Sequence, residues 1–427
     1  MPQRRALIVG GSIGGLFAAQ FLRQAGWDVA VFERSAGDLA DRGAGLNTSA
    51  ELFEALTRAG ATVNPGLAFH VRRSAWLKQD ATIGVEIPRG WHGSTWGTIY
   101  RPLRAAFPSA LYHAGRVVER VEQDGTSVTA IFADSTRERG DLLIGADGVY
   151  STVRKQYLPE IAPVPAGYIA WRGTLAERDL PPSAHELLLE RAAFTIPDNE
   201  LVVSLPVPGA DNDPRPGHRR YYFIWYRPAS PAEQRALFTD ASGRDHGLAI
   251  PPPLIRSEFV AAMKADARKV LPPVLGEIVG RVAQPLLQSI TDLEAPRMVF
   301  GRVALLGDSA FVARPHVAAG TSKAASMPRD WSPRSRRMGK ISRRRCSFMS
   351  ASVLLSAARS SAMRAISAPI SKPAARRRRA IPSGCCANMV RRISSMRSIS
   401  ASVVISSPRA GEAACAGDFF SRHYWAQ

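Results

Sequence analysis

Hydrophobic residues along the first 325 positions fall into two rhythms, one helical and one alternating. Arg4 to Val9 is a short apolar run that ends at Gly10-Gly11-Ser12-Ile13-Gly14-Gly15. Beyond it Leu16, Phe17, Ala18, Ala19, Phe21 and Leu22 recur at helical spacing up to Gly26, and Val29, Val31 and Phe32 then alternate to Glu33. The pattern predicts a β-α-β unit with its glycines in the tight first turn. Such a turn brings backbone N–H groups and a helix N-terminus against a pyrophosphate, and the acid ending the second strand suits a ribose hydroxyl. Ser12 replaces the second glycine of the strict G-x-G-x-x-G pattern but is small enough to allow close approach. The unit predicts dinucleotide binding without separating NAD from FAD.

Two later segments repeat the theme of a strand ending in glycine and acid. Asp141 to Ile144 reads as a strand running into Gly145-Ala146-Asp147-Gly148, with Ser151 and Arg154 following. Gly301 to Asp308 reads as a buried strand closed by Gly307-Asp308, then a loop through Arg314-Pro315-His316 to Gly320, a glycine placed to open a helix. Between them, Tyr168 to Thr174, Glu186 to Glu190, Glu200 to Pro206 and Arg220 to Tyr226 read as strands separated by turn-rich stretches. Residues 221 to 226 are apolar on both faces, so that strand is expected to be covered on both sides. The aromatics there either wall a pocket or fill ordinary core; Tyr168, Trp171 and Tyr222 are the pocket candidates. Leu254 to Val282 has a helical pattern broken at Pro272-Pro273.

The ordered set of three fingerprints resembles the class A flavoprotein monooxygenases, the para-hydroxybenzoate hydroxylase family. Gly10 to Gly15, Gly167-Tyr-Ile-Ala-Trp-Arg-Gly173 and Ala313 to Gly320 are most similar to the 2,6-dihydroxypyridine 3-monooxygenase type within it. The resemblance implies an α/β fold: a Rossmann-like FAD-binding domain of glutathione-reductase type with an inserted β-sheet substrate domain. It implies FAD as bound cofactor, NADH or NADPH as reductant, and a small electron-rich aromatic ring hydroxylated with O2 through a flavin C4a-hydroperoxide. On the same grounds Glu33, with Arg34 beside it, holds the adenosine ribose, and Arg101 lies by the flavin or its phosphates. Arg42 and Gly43 lie at the isoalloxazine, Asp147 and Gly148 serve FAD and the nicotinamide donor, and Gly307 and Asp308 bind the ribitol or pyrophosphate. Pro315 sits beside the flavin ring, and Gly320 opens a helix whose positive end faces it. His316 is the candidate for taking a ring-hydroxyl proton, weighed equally against a loop histidine that only orders its turn. Residues 1–70, 95–165 and 290–325 are assigned to the FAD domain, and 71–94 and 166–289 to the substrate sheet.

Composition divides the chain at the same place. Up to Ala325 there are 36 Lys and Arg against 33 Asp and Glu; the remaining residues carry 20 against 3, and all four cysteines. The body, free of cysteine, without a leader or an apolar run long enough to span a bilayer, reads as a soluble cytoplasmic protein. A homodimer is the assembly allowed for, with no specific nucleic-acid or membrane partner. No metal-ligand spacing, Walker loop or Ser-His-Asp arrangement is present. The rival readings are a halogenase-like flavoenzyme, whose Trp-x-Trp-x-Ile signature is missing, and a non-enzymatic binding protein with a nucleic-acid- or membrane-contacting basic tail.

Residues 326–427 are Arg-, Ser- and Ala-rich, and Pro328 and Pro333 stop the helix that Gly320 should launch. Read one base earlier with G/C-ending codons, the text after Ala325 becomes Leu-Asp-Ala-Ala-Gly-Leu-Val-Ala-Ala-Leu, an amphipathic helix. A one-base frameshift at about Ser326 is therefore expected, with impaired FAD retention in the chain as given.

Overall fold

A computed structural model describes residues 3–40, 45–48, 50–64, 67–88, 91–209, 212–312 and 314–315. The glycine-turn unit forms as the pattern predicts: strand Arg5–Val9, helix Ile13–Gln24 and strand Asp28–Glu33. These strands lie inside a six-stranded sheet ordered Val299–Phe300, Val303–Leu305, Leu142–Gly145, Arg5–Val9, Asp28–Glu33, Tyr112–Ala114. All neighbours pair in parallel except the first two. A parallel sheet is covered on both faces, which explains the unbroken apolar runs. Ala6, Ile8, Val29 and Val31 face the helix Ile13–Gln24. Leu7, Val9, Ala30 and Phe32 face the antiparallel strands Val118–Gln123 and Val128–Phe132.

A second, nine-stranded sheet follows the order Ala249–Ile250, Leu286–Glu294, Val164–Ala176, Arg220–Pro228, Leu201–Val207, Arg191–Thr195, Arg73–Leu77, Ile83–Ile87, with Phe311–Val312 pairing the second of these. Alternation along its strands divides the aromatics between two cores. Trp171, Tyr221, Phe223 and Trp225 pack against the helices Ser257–Val270 and Pro273–Arg281. Tyr168, Ala170, Tyr222, Ile224 and Tyr226 occupy the opposite face. A small sheet of Gly45–Thr48, Trp91–Thr95 and Phe69–Val71 lies against that second face. Contact is close enough that a Cβ at Gly93 would fall 2.2 Å from the Pro206 carbonyl oxygen.

Two expected elements differ. Glu186 to Glu190 is not a strand: Pro182–Leu188 is helical, its proline pre-setting φ in the first turn, with Ala184 and Leu188 buried. The strand comes next, at Arg191–Thr195. The long helical stretch is two helices, because Leu271, preceding Pro272, is extended at φ −97° and ψ 156°.

Candidate active site

The nucleotide end of the site is built by the first turn. Gly10 has φ +103° and donates its N–H to the Phe32 carbonyl at 2.8 Å; a Cβ there would fall 2.3 Å from the Ala146 carbonyl oxygen. A Cβ at Gly15 would fall 1.9 Å from the Gly10 carbonyl oxygen, so the helix start and the strand end touch backbone to backbone. Ser12 is the N-cap of helix Ile13–Gln24 but its side chain makes no capping bond. The helix therefore presents N–H groups that no side chain of its own satisfies, which fits a phosphate. Gly14 lies in that first turn.

Glu33 is buried and its carboxylate is oriented by two backbone donors, Gly11 N–H and Ser35 N–H, each at 2.8 Å. Each oxygen keeps a further lone pair, which fits a ribose diol. Arg34 follows as an exposed residue. Tyr112, which the sequence did not single out, closes the same turn. Its hydroxyl lies 3.2 Å from the Gly11 carbonyl oxygen, and the Arg104 guanidinium stacks 4.1 Å over its ring. Burial, then the neighbouring Tyr100 hydroxyl, pushes the Tyr112 phenol up from its ordinary value, so it stays protonated. No local pattern marks a lone tyrosine of this kind. Arg101 lies half-buried on the helix Trp96–Ala105, whose N-cap Thr95 accepts the Thr98 N–H.

The second and third fingerprints are joined. Ser151 caps the helix Thr152–Tyr157 by accepting the Arg154 N–H at 2.8 Å, and its hydroxyl lies 2.5 Å from Asp147. Val153 N–H reaches the other Asp147 oxygen at 3.2 Å. Burial raises the Asp147 carboxyl above its usual value, and the Ser151 and Val153 bonds oppose the rise. Gly148 has φ +78° and Gly307 φ +69°, the left-handed conformation that favours glycine at both turns. Ser309 crosses between them, its hydroxyl 2.5 Å from the Gly145 carbonyl oxygen while its own carbonyl accepts Arg154 Nη1 at 3.1 Å. Asp308, beside it, is exposed.

The substrate end is reached through the loop after Phe311–Val312. Arg314 forms a two-point ion pair with Asp292, its Nε 2.6 Å from the carboxylate, and its guanidinium stands 5.7 Å over the Tyr168 ring. Pro315 follows half-buried. The loop next to the cofactor turn is thus fastened to the substrate sheet. On the same face, a Cβ at Gly45 would fall 2.5 Å from the Tyr222 ring. Tyr168 and Tyr226 meet edge to face at 6.1 Å. Trp171 does not join this wall. The pleat turns it to the other face, into the helix-side core, so the pocket assignment for it is corrected. Arg42, Gly43, His316 and Gly320, like the whole of 326–427, lie outside the described residues. Among the described residues no group of three or more His, Cys, Asp or Glu is placed to hold a metal, and no helix is long and apolar enough to cross a membrane.

Comparison with known proteins agrees with this geometry. Residues 8–37 match the NAD(P)-binding Rossmann-like domain and residues 165–292 the FAD binding domain-like family. The chain is 32% identical over 324 residues to 2,6-dihydroxypyridine 3-monooxygenase of Paenarthrobacter nicotinovorans, covering 75% of this chain and 80% of that protein. It is 24% identical over 340 residues to 6-hydroxynicotinate 3-monooxygenase of Pseudomonas fluorescens, covering 75% and 79%. The solved structure of 2,6-dihydroxypyridine-3-hydroxylase from Arthrobacter nicotinovorans superposes with a TM-score of 0.76 at 28% identity, over 82% of this chain and 88% of that one. The chain belongs to the FAD-dependent aromatic-ring monooxygenases of class A. Its cofactors are FAD and a nicotinamide reductant.

Proposed function

We propose that the chain hydroxylates a hydroxypyridine, with Tyr168, Tyr222 and Tyr226 forming one wall of the ring's pocket. The observation that carries this is the Arg314–Asp292 pair, which holds an aromatic sheet face against the loop that ends the third fingerprint. The two curated relatives described above are both named for hydroxylated pyridine rings. When bound, FAD takes reducing equivalents from NAD(P)H and, with O2, supplies an electrophilic oxygen. The chain's own residues then bind, orient and exclude water. Glu33 takes the adenosine ribose, the helix Ile13–Gln24 faces the pyrophosphate, and Arg101, Asp147 and Asp308 hold the remaining phosphate and ribitol oxygens. The aromatic wall holds the substrate ring in place and dry, which keeps the oxygen transfer from being lost to solvent. His316, next to Pro315 in sequence, is assigned the ring-hydroxyl proton. The enzyme works in the cytoplasm, with the FAD domain and substrate sheet divided much as the sequence divides them, except that strand Leu286–Glu294 goes whole to the substrate sheet instead of being split at 290. The shifted frame after Ala325 weakens flavin retention in this form.

The test is direct. Full-length protein is purified, its flavin spectrum recorded, and hydroxypyridines and phenols are screened for stimulated NAD(P)H oxidation and hydroxylated product. Oxidation stimulated by phenols and not by any hydroxypyridine would overturn the substrate reading. A protein that takes up no flavin, even after the frame is restored at residue 326, would overturn the functional one.

A further inference from the structure

The substrate sheet carries several arginines, and it supplies acids to most of them. Arg219 pairs with Glu177, Arg227 with Glu200 and Asp266, and Arg314 with Asp292. Of the two without an acid among the described residues, Arg220 and Arg172, Arg172 is the one with a nitrogen shut away from solvent. It lies in strand Val164–Ala176 opposite Ile224 and Leu286, half-buried, with its Nε shut away from solvent and bonded to nothing. Among the described residues its guanidinium has no carboxylate, carbonyl or ring partner. Arg5 and Arg256 also have an unbonded Nε, but their terminal nitrogens are held, by Glu138 and by the Ala236 carbonyl.

Its position gives the unpaired charge a meaning. Alternation puts Arg172 on the face of Tyr168 and Ala170, the face that meets Arg314 at one end and Gly45 at Tyr222. It is close enough to the buried Tyr222 for its charge to oppose the rise that burial imposes on that phenol. A guanidinium nitrogen sealed from water and left unbonded is costly, and the planar fork is shaped for a planar oxyanion. Resting on the hydroxypyridine reading above, we propose that Arg172 is the oxyanion-recognising residue of the substrate pocket. It receives an oxyanion carried on the aromatic ring, either an ionised ring hydroxyl or a ring carboxylate. Either anion would complete the fork; where it is the ring hydroxylate, the guanidinium holds it unprotonated, which makes the ring more electron-rich at the carbon to be attacked.

The experiment is an equilibrium calorimetric titration of the full-length, FAD-supplemented protein with three probes. These are 2,6-dihydroxypyridine (ionisable hydroxyls only), nicotinate (carboxylate only) and 2-methoxypyridine (neutral). Arg172→Gln is expected to weaken at least one of the first two by about tenfold or more and 2-methoxypyridine by less than about twofold. Arg172→Lys, which keeps the charge but not the fork, should recover part of the loss. Wild-type affinity for 2,6-dihydroxypyridine should rise with pH through the ligand's ionisation if the hydroxylate is the anion, and R172Q should flatten that profile. A loss confined to nicotinate selects the carboxylate. Equal losses for neutral and anionic probes, no loss for any, or no binding of either oxyanion by wild type would overturn the assignment. The functional reading fails separately: Arg172-dependent binding without substrate-stimulated NAD(P)H oxidation leaves this inference standing, and turnover indifferent to Arg172 does the reverse.

Discussion

Arg154 and Ser309, 155 residues apart in the chain, share a hydrogen bond of 3.1 Å from guanidinium to carbonyl. Arg154 is wholly buried and also holds the Val149 carbonyl at 2.6 Å and the Ile161 carbonyl at 3.3 Å. The arginine of the Asp-Gly fingerprint is thus a brace between two cofactor-binding turns. Arg154→Met leaves the buried Ser309 carbonyl and the part-buried Val149 and Ile161 carbonyls without this donor, at about 1–3 kcal/mol for the buried one and less for the other two. Chemical denaturation should show a loss of about 3 kcal/mol or more, and the variant should release FAD more readily than wild type. Unchanged stability would remove the brace.

The first turn makes a contrast between two glycines. A Cβ at Gly15 meets backbone at 1.9 Å, whereas Gly37 has open space around it and no positive φ. Gly15→Ala should fail to bind FAD or fail to fold, while Gly37→Ala should stay within about 0.5 kcal/mol of wild type in thermal denaturation.

Glu33 accepts two N–H groups, and a glutamine would point an amide donor at one of them. Glu33→Gln is expected to raise the FAD dissociation constant by about tenfold or more, read by flavin fluorescence on reconstitution. An unchanged constant would take Glu33 out of the nucleotide site.

Asp147 carries a pH signature of definite sign. Its folded-state carboxyl is raised by burial above the ordinary value of 3.8, so the protonated form is the one the fold prefers. Its contribution to stability is complete below that value and is lost as pH rises through the higher folded value. Wild type should therefore lose stability relative to Asp147→Asn as pH rises above the ordinary carboxyl value of 3.8. Ser151→Ala, which removes the 2.5 Å bond opposing the rise, should steepen the loss.

Trp171 and Tyr222 lie on the two sides of one sheet, and their variants should separate accordingly. Trp171→Ala empties helix-side core and should cost about 3–5 kcal/mol of stability. Tyr222→Phe keeps the packing and should leave stability nearly unchanged while altering the affinity for hydroxypyridines. Equal effects on binding from both would contradict the two-faced wall.

The glycine turn, the Asp-Gly and Gly-Asp turns and the aromatic strands were legible because each depends on neighbours in sequence: periodicity, a turn glycine, an acid at a strand end. Glu186 to Glu190 misled because a leucine run fits helix or strand equally, and Pro182 decided it. The side of the sheet taken by Trp171 follows from register with Trp225 and Leu287, which no local pattern reveals. Tyr112 and the solitary state of Arg172 were invisible for a related reason. Each is defined by which distant residues come near it, or fail to.

The strand Val303–Leu305 lies between Val299–Phe300 and Leu142–Gly145, beside the strand that carries the Asp-Gly turn. A nascent chain that has not yet reached Val303 exposes the Leu142–Gly145 edge, four buried apolar or glycine positions with open backbone groups. Among the described residues, the nucleotide sheet is therefore sealed by the strand that is synthesised last. Fragments ending earlier should pair with one another along that edge instead of waiting soluble for the cofactor.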